Sequence, residues 1–255
     1  MRFVTDLLRM RGLWALTWLE VKIFLREPLG VIGTVGFPIL FFVLLRKLGA
    51  SGPRRGQTPP PVLAGDLPVF AALMVAISAC ISLVAIIAIY REGGILKRLR
   101  ATPLQPATIL MSHVLVKLGF TAVSLGLLSL AGARSMAPAD APWLSFAAAL
   151  LFTTLCLLAI GFVIASVVPT ARFAQPLATL VIYTMLGFSG LIVPVAALPP
   201  VARAVARLLP LTYAVSFLRG VWRGEGWLAH GTEVAVLAAS FLVLTVVASR
   251  VFRWE

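Results

Sequence analysis

Charged side chains are scarce in this chain of 255 residues, and acidic ones are the scarcest. Asp, Glu, Lys and Arg together make up 12% of the sequence, with 22 basic residues against 9 acidic ones. A soluble domain uses about 25% charged residues to cover its surface. Apolar residues make up 60% of the chain, and the mean hydropathy is +1.02. The composition therefore excludes an ordinary soluble domain and indicates a protein whose solvent is lipid.

The chain lacks the residues that metal and nucleotide chemistry require. The acidic residues are scattered, so they form no cluster that a metal-dependent lipid enzyme needs. The two cysteines, Cys80 and Cys156, lie within apolar runs and have no zinc-binding spacing. The sequence also has no GxxxxGK loop for nucleotide phosphates. We therefore expect no metal and no cofactor in this chain, and any ATP must be bound by a partner.

The net charge of +13 is spread along the chain and not gathered in one patch. The basic residues stand singly or in small groups between long uncharged runs. This distribution is typical of loops that anchor helices at anionic lipid headgroups, whereas a nucleic-acid surface needs a concentrated basic patch. The expected partners are membrane lipids and not nucleic acids.

Crossing a bilayer takes about 20 mostly apolar residues, and six apolar runs can do so if snorkelling or tilt compensates for the shorter ones. The sequence thus predicts an all-α membrane protein with a single transmembrane domain. Its six transmembrane helices are placed near residues 29–48, 66–90, 107–132, 143–168, 173–193 and 232–252. Residues 1–27 differ, because Trp14, Trp18 and Leu25 recur at helical spacing between polar residues. They predict an amphipathic helix lying in the membrane interface.

Six spans place both termini on the same side of the membrane. Thirteen of the basic residues fall on that side and nine on the other, which favours cytoplasmic termini. The expected location is the cytoplasmic (inner) membrane. No acid lies deep in a predicted span, which argues against a carrier driven by protons or sodium. His113 and Lys117 lie early in the third span, and we expect them to extend back to the cytoplasmic interface.

The segment between the second and third spans is flanked by residues that typically begin and end a short helix. It reads REGGILKRLRATP from Arg91 to Pro103, with two glycines before about two helical turns and a proline after them. Ile95, Leu96 and Leu99 would form an apolar ridge on one side of this helix, and Lys97, Arg98 and Arg100 would be spread around the rest. A basic connector that anchors to lipid is the alternative.

This segment resembles the R-E-x-G-T-L-x-x-L-x-x-[TS]-P cytoplasmic loop of the type-2 permease family of ABC transporters. These are the membrane subunits of exporters related to the daunorubicin-resistance and lipo-oligosaccharide systems. Arg26-Glu27-Pro28, with Pro38 ten residues on, is similar to the start of that family's first span, and residues 187–219 resemble its S-G-x-x-x-P…L-P…P-L-T-Y…R pattern. Ile95 departs from the usual Thr or Ser, and Tyr90 from a frequent acid.

The resemblance implies a permease that exports an amphiphilic drug, a lipid or a glycolipid or polysaccharide by alternating access. Two ATP-binding subunits, which carry ATP and Mg, and a second permease copy or a sister permease would complete the transporter. Whether the N-terminal helix rests on such a subunit or on lipid stays open. The segment would be the coupling helix that docks on the ATP-binding subunit, with site residues Arg91, Glu92, Gly93, Gly94, Leu96, Arg98, Leu99, Arg100 and Pro103.

The region after the fifth predicted span is too broken by prolines for one continuous span. A broken helix at membrane depth is tolerated only against protein or a water-filled cavity. Together with the resemblance, this predicts that residues 194–223 form two short re-entrant half-helices of an external gate. The candidate gate residues are Ser189, Gly190, Pro194, Pro199, Pro210, Tyr213 and Arg219.

Hydroxyl side chains in the second and fifth predicted spans are candidates for lining the transport pathway: Ser78, Ser82, Thr179, Tyr183 and Thr184. Ser and Thr in such helices more often bond back to their own helix or to a neighbour, so a structural role is the alternative.

Two other functions remain open at this point. Gly187-Phe188-Ser189-Gly190 has the GxSG form found around the nucleophile of rhomboid-type intramembrane proteases, and His230 is a candidate base. Pro194 follows the serine closely, and His230 stands near Glu225 and Glu233 at the membrane edge, which both argue against that enzyme. An ATP-independent carrier or scaffold is the other alternative.

Overall fold

The computed structural model describes residues 2–26, 28–36, 39–40, 43–44, 67–94, 106–132, 142–168, 170–191 and 193–251. In these ranges every regular element is helical, which confirms the all-α prediction. The helices are α1 (Arg2–Arg26), α2 (Pro28–Val31), α3 (Leu67–Glu92), α4 (Pro106–Gly132), α5 (Trp143–Val167), α6 (Ala171–Phe188), α7 (Pro200–Leu208), α8 (Pro210–Trp222) and α9 (Gly231–Val251). A π-helical turn, Ile32–Gly36, extends α2, and 3₁₀ turns lie at Val195–Ala197 and Leu228–His230.

Within the described part of the chain, three stretches of helix are long and apolar enough to cross a membrane: Leu73–Glu92, Trp143–Val167 and Leu228–Val251. The pair α7 and α8 passes the same test together, although its axes bend by 80° at the break, and α4 adds a shorter apolar stretch, Met111–Leu127. The chain is thus a multi-pass membrane protein. The predicted first span, 29–48, is described only at residues 29–36, 39–40 and 43–44, and the count of six stays a prediction.

Small side chains bring α3 and α5 close together at the centre of the bundle. The Cys80 thiol donates a hydrogen bond to the carbonyl oxygen of Leu157 at 3.1 Å. A Cβ on Gly161 would lie 2.8 Å from the Cys80 sulfur and 3.3 Å from its carbonyl oxygen, so only glycine fits there. Close backbone approach at small residues is the usual way in which membrane helices associate, because lipid provides no hydrophobic drive between them.

The bundle has two ends, which carry different parts of the predicted machinery. At one end, a hydrogen bond of 2.9 Å from Arg91 Nη1 to the carbonyl oxygen of Val168 joins the ends of α3 and α5. We call this the coupling end. At the other end, the Trp222 ring on α8 meets Trp143 and Phe146 on α5 at centroid distances of 5.0 Å. We call this the gate end.

Candidate functional site

The coupling end begins where two glycines terminate α3. Gly93 donates its backbone N–H to Ile89, and Gly94 donates to Arg91. Gly94 has φ +64°, a left-handed conformation that side chains with a Cβ resist, and it is a common way to end a helix. Residues 95–105 lie outside the described part of the chain, so Leu96, Arg98, Leu99, Arg100 and Pro103 remain predictions.

Arg91, Glu92 and Gly93 differ in their surroundings although they are adjacent. The Arg91 guanidinium turns back into the chain to the Val168 carbonyl, so it braces the bundle itself. Glu92 and Gly93 are exposed. A partner that binds this end can therefore reach Glu92 and Gly93 directly, whereas Arg91 fixes the orientation of the helix that carries them.

A buried polar cluster joins α1, α3 and α4 near the same end. We call it the Glu20 cluster; it comprises Glu20, Tyr90 and His113. The Tyr90 hydroxyl donates a 2.8 Å hydrogen bond to Glu20 Oε1, and His113 Nδ1 lies 3.4 Å from Glu20 Oε2. The Tyr90 and His113 rings meet edge to face at 5.3 Å. Glu20 is only 8% exposed and His113 only 2%, so the carboxylate is held inside protein.

Lys117 lies one helical turn beyond His113 and also turns inward. Its ammonium donates a 2.6 Å hydrogen bond to Ser82 Oγ and lies 4.4 Å above the Phe24 ring. Because α1 packs over this face of α4, both side chains are buried, and the expectation that His113 and Lys117 extend to the cytoplasmic interface was wrong. Periodicity alone could not single out Glu20, because it does not show which face of α1 another helix covers.

The hydroxyls proposed to line a pathway have diverse partners. Ser82 accepts the Lys117 bond, and Thr179 Oγ1 donates to the carbonyl oxygen of Gln175 one turn earlier in α6, the local bonding expected of a membrane threonine. Tyr183 and Thr184 are exposed on α6, and Ser78 is partly buried on α3. In this single chain, Tyr183 and Thr184 are thus the candidates that face outward.

At the gate end, α6 stops in a tight turn built around Ser189 and Gly190. The Ser189 hydroxyl donates to the Leu186 carbonyl at 2.6 Å and accepts the Leu191 N–H at 3.3 Å. Gly190 has φ +81°, and a Cβ there would lie 2.8 Å from Val195 Cγ2. The Ser-Gly pair therefore has a structural task in ending the helix and reversing the chain.

Side chains also fix the elbow between α7 and α8, which we define as residues 196–213. Pro200 and Pro210 each open a helix, where their missing N–H is not needed. Arg203 Nη2 donates to the carbonyl oxygens of Ala196 and Leu198, at 2.7 and 3.1 Å. The Tyr213 hydroxyl donates to the Arg207 carbonyl across the bend at 2.8 Å. Pro194 and Pro199 flank the preceding 3₁₀ turn, and Arg219 lies near the far end of α8, partly exposed.

The candidate protease residues are engaged elsewhere. His230 Nε2 lies 2.9 Å from Glu225 Oε2, and His230 Nδ1 lies 3.5 Å from Glu233 Oε1, which also accepts the Ser216 hydroxyl at 3.0 Å. Both ring nitrogens thus face carboxylates. No described hydrogen bond joins His230 to Ser189, so the structure shows no activated nucleophile at this position.

A helical bundle with this composition, a glycine-terminated helix before a basic segment and an elbow of two half-helices is typical of a membrane transport subunit. The profile of the family described as ABC-2 type transporter matches residues 11–222, which is most of the chain. The chain belongs to this family, and the resemblance drawn from its motifs is confirmed. A comparison with curated proteins gives no match.

Membership defines the broad role of the chain. It is the membrane-spanning permease subunit of an ABC transporter, and permeases of this family normally work with an ATP-binding subunit. The matched region runs from α1 through the end of α8, so it includes the Glu20 cluster, the coupling end and the elbow.

Proposed function

We propose that the chain is the permease of an ATP-driven exporter in the cytoplasmic membrane, with six spans and both termini in the cytoplasm. Two ATP-binding subunits and a second permease, identical or related, complete it. The observation that carries this proposal is the coupling end, where a glycine-terminated α3 leads into the basic segment of a chain that belongs to the ABC-2 type family. The acid-poor sequence supports a separate ATPase as the energy source.

ATP binding would draw the two ATP-binding subunits together and move the segments docked on them. Helices that pack closely respond to such a force as rigid bodies that switch between discrete arrangements. The Arg91–Val168 hydrogen bond connects the root of the segment to α5, and α5 continues to the aromatic contacts with α8 at the gate end. This chain of contacts is a route by which movement at the coupling end reaches the elbow.

The cargo is proposed to be amphiphilic: a drug, a lipid, or a glycolipid or polysaccharide. The exposed face of α6 supports this assignment, because it mixes the hydroxyls of Tyr183 and Thr184 with apolar Phe173 and Leu180. A face of mixed polarity suits a molecule with an apolar part and a polar part. A second permease packed opposite α6 would complete the conduit.

The central test is whether the segment docks an ATP-binding subunit. The double variant Leu96→Asp with Leu99→Asp should lose the ATP-binding subunit that copurifies with the wild-type chain, because two carboxylates would replace the apolar ridge. Leu228→Asp is the matched control, since Leu228 is 99% exposed at the gate end. Copurification and ATP hydrolysis that persist undiminished in the double variant would refute the proposed docking, and a wild-type chain without any such subunit would indicate an ATP-independent carrier.

A further inference from the structure

The Glu20 cluster lies near the end of α3 and near the start of α4, the two helix ends that flank residues 95–105. Tyr90 stands two residues before the last residue of α3, and His113 stands seven residues after the first residue of α4. One carboxylate contacts both side chains, so α1 is tied to the two helices between which residues 95–105 run. We propose that Glu20 is a positioning residue that makes α1, the end of α3 and the start of α4 move as one body during transport.

Burial makes this connection resistant to sliding. A carboxylate inside protein is tolerated only while hydrogen bonds and nearby positive charge replace its water. Glu20 is 8% exposed, and each of its two oxygens faces a different helix. If α1 turned or shifted by a few ångströms relative to α3 and α4, both contacts would break and the carboxylate would be left desolvated, so relative motion of α1 is opposed.

A second set of contacts one turn along α1 reinforces the first. The Phe24 ring lies 4.3 Å from the Phe120 ring and beneath the Lys117 ammonium, and Lys117 in turn donates to Ser82 on α3. The same three helices are therefore joined at two levels. The opposite face of α1 carries exposed Trp14 and Trp18, so a load applied there by a partner or by lipid would pass through the Glu20 cluster to the coupling end.

The physical connection is tested on the full chain in lipid nanodiscs, without any partner. Glu20→Ala should speed amide hydrogen exchange in residues 12–26 about tenfold, because α1 loses its buried attachment. Glu20→Gln keeps an acceptor for Tyr90 but loses the charge opposite His113, so its effect should be smaller. Thr17→Val is the matched control, since the Thr17 hydroxyl donates to the Leu13 carbonyl within its own helix. Exchange in Glu20→Ala equal to that of wild type would overturn the connection.

Tyr90→Phe separates the two arms of the cluster, because it removes only the hydroxyl on α3. If Glu20 acts through this contact, the double variant Glu20→Ala with Tyr90→Phe should exchange no faster than Glu20→Ala alone. Effects that simply add would show that the two residues stabilise the bundle independently, and this would contradict the proposal.

The consequence for transport rests on the proposed function and needs the complex with the copurifying ATP-binding subunit. Trapping wild type with ADP and vanadate should change hydrogen exchange in α1 and α3 together. Glu20→Ala should retain subunit association while the change in α1 disappears and that in α3 remains, because the contact with Tyr90 is lost. A general loss of stability would not uncouple the two helices in this way, and an α1 response that persists in Glu20→Ala would overturn the positioning role. A wild-type chain that binds no subunit would defeat the proposed function and leave the nanodisc result standing.

Discussion

The imidazole of His230 lies directly against the backbone of Gly220, and this contact joins α8 to the 3₁₀ turn that leads into α9. A Cβ on Gly220 would collide with Nε2 and Cε1 of the His230 ring. Glu225 and Glu233 flank the two ring nitrogens, and the Phe217 ring stands 6.3 Å from the imidazole. The His230 ring therefore packs in a fixed position against α8, and a side chain with a Cβ at position 220 would displace it.

Gly220→Ala should destabilise the gate end. The added methyl group displaces the His230 ring from between its two carboxylates, and overpacking of this kind costs about 1–3 kcal/mol. The measurement is the thermal unfolding midpoint in detergent. Gly231→Ala is the control, because a Cβ on that helical glycine meets nothing within 4 Å.

The same contact predicts a rescue. His230→Ala removes the ring that the new methyl would strike, so Gly220→Ala should cost little when it is added to His230→Ala. Non-additivity of this kind is expected for residues in direct contact. Two substitutions that each retain their full cost in the double variant would show that the contact does not control stability.

Gly94→Ala should weaken the coupling end through backbone strain alone. A Cβ there meets nothing within 4 Å, but φ is +64°, and a residue with a Cβ pays about 1–2 kcal/mol in that region. We expect less ATP-binding subunit to copurify with Gly94→Ala, whereas Gly94→Asn should retain more, because asparagine tolerates this conformation. Gly119→Ala on α4 serves as the control, since a Cβ there also meets nothing within 4 Å and Gly119 is not among the positive-φ glycines. Equal copurification for the alanine and asparagine variants would argue against strain as the cause.

Much of the helical architecture follows from where charges interrupt the apolar runs. The predicted span 143–168 corresponds to α5, Trp143–Val167, because the apolar stretch is long and its ends are marked by Pro142 and by extended backbone at Val168. The predicted span 107–132 likewise lies within α4, Pro106–Gly132. Charge boundaries and helix-breaking residues are local properties, so the sequence carries them directly.

Contacts between helices were harder to predict. Glu20 stands among the polar positions of α1, and the period of that helix does not show that α4 covers it. The contact between the His230 ring and Gly220 joins residues on opposite sides of a helix break. Such pairs depend on how separate helices pack, which no pattern within one helix contains. The one usable signal for Glu20 was the rarity of acids, since an acid retained in an apolar chain often has a buried partner.

Ser189 should not behave as a protease nucleophile. Its hydroxyl donates to the Leu186 carbonyl, and it caps the end of α6. A fluorophosphonate probe should therefore label wild type and Ser189→Ala to the same low level, and Ser189→Ala should lose about 1 kcal/mol of stability with the hydrogen bond. Labelling of wild type that disappears in Ser189→Ala would revive the intramembrane protease alternative.

Tyr213→Phe should loosen the elbow without unfolding it. The lost hydrogen bond to the Arg207 carbonyl crosses the bend, and a neutral bond of this kind contributes about 0.5–1.5 kcal/mol. The two hydrogen bonds from Arg203 to Ala196 and Leu198 remain. The angle between α7 and α8 should therefore vary more, while the bend itself is kept.

Spin labels can measure this loosening because both native thiols, Cys80 and Cys156, are buried and should not react. Cysteines introduced at Val201 and Leu228, which are 78% and 99% exposed, report the distance across the elbow. The distance distribution should broaden in Tyr213→Phe and stay narrow in Tyr183→Phe, where the same change is made on α6. An unchanged distribution in Tyr213→Phe would mean that Arg203 and the two prolines are enough to hold the bend. Tyr213 would then not be a residue that stabilises the gate.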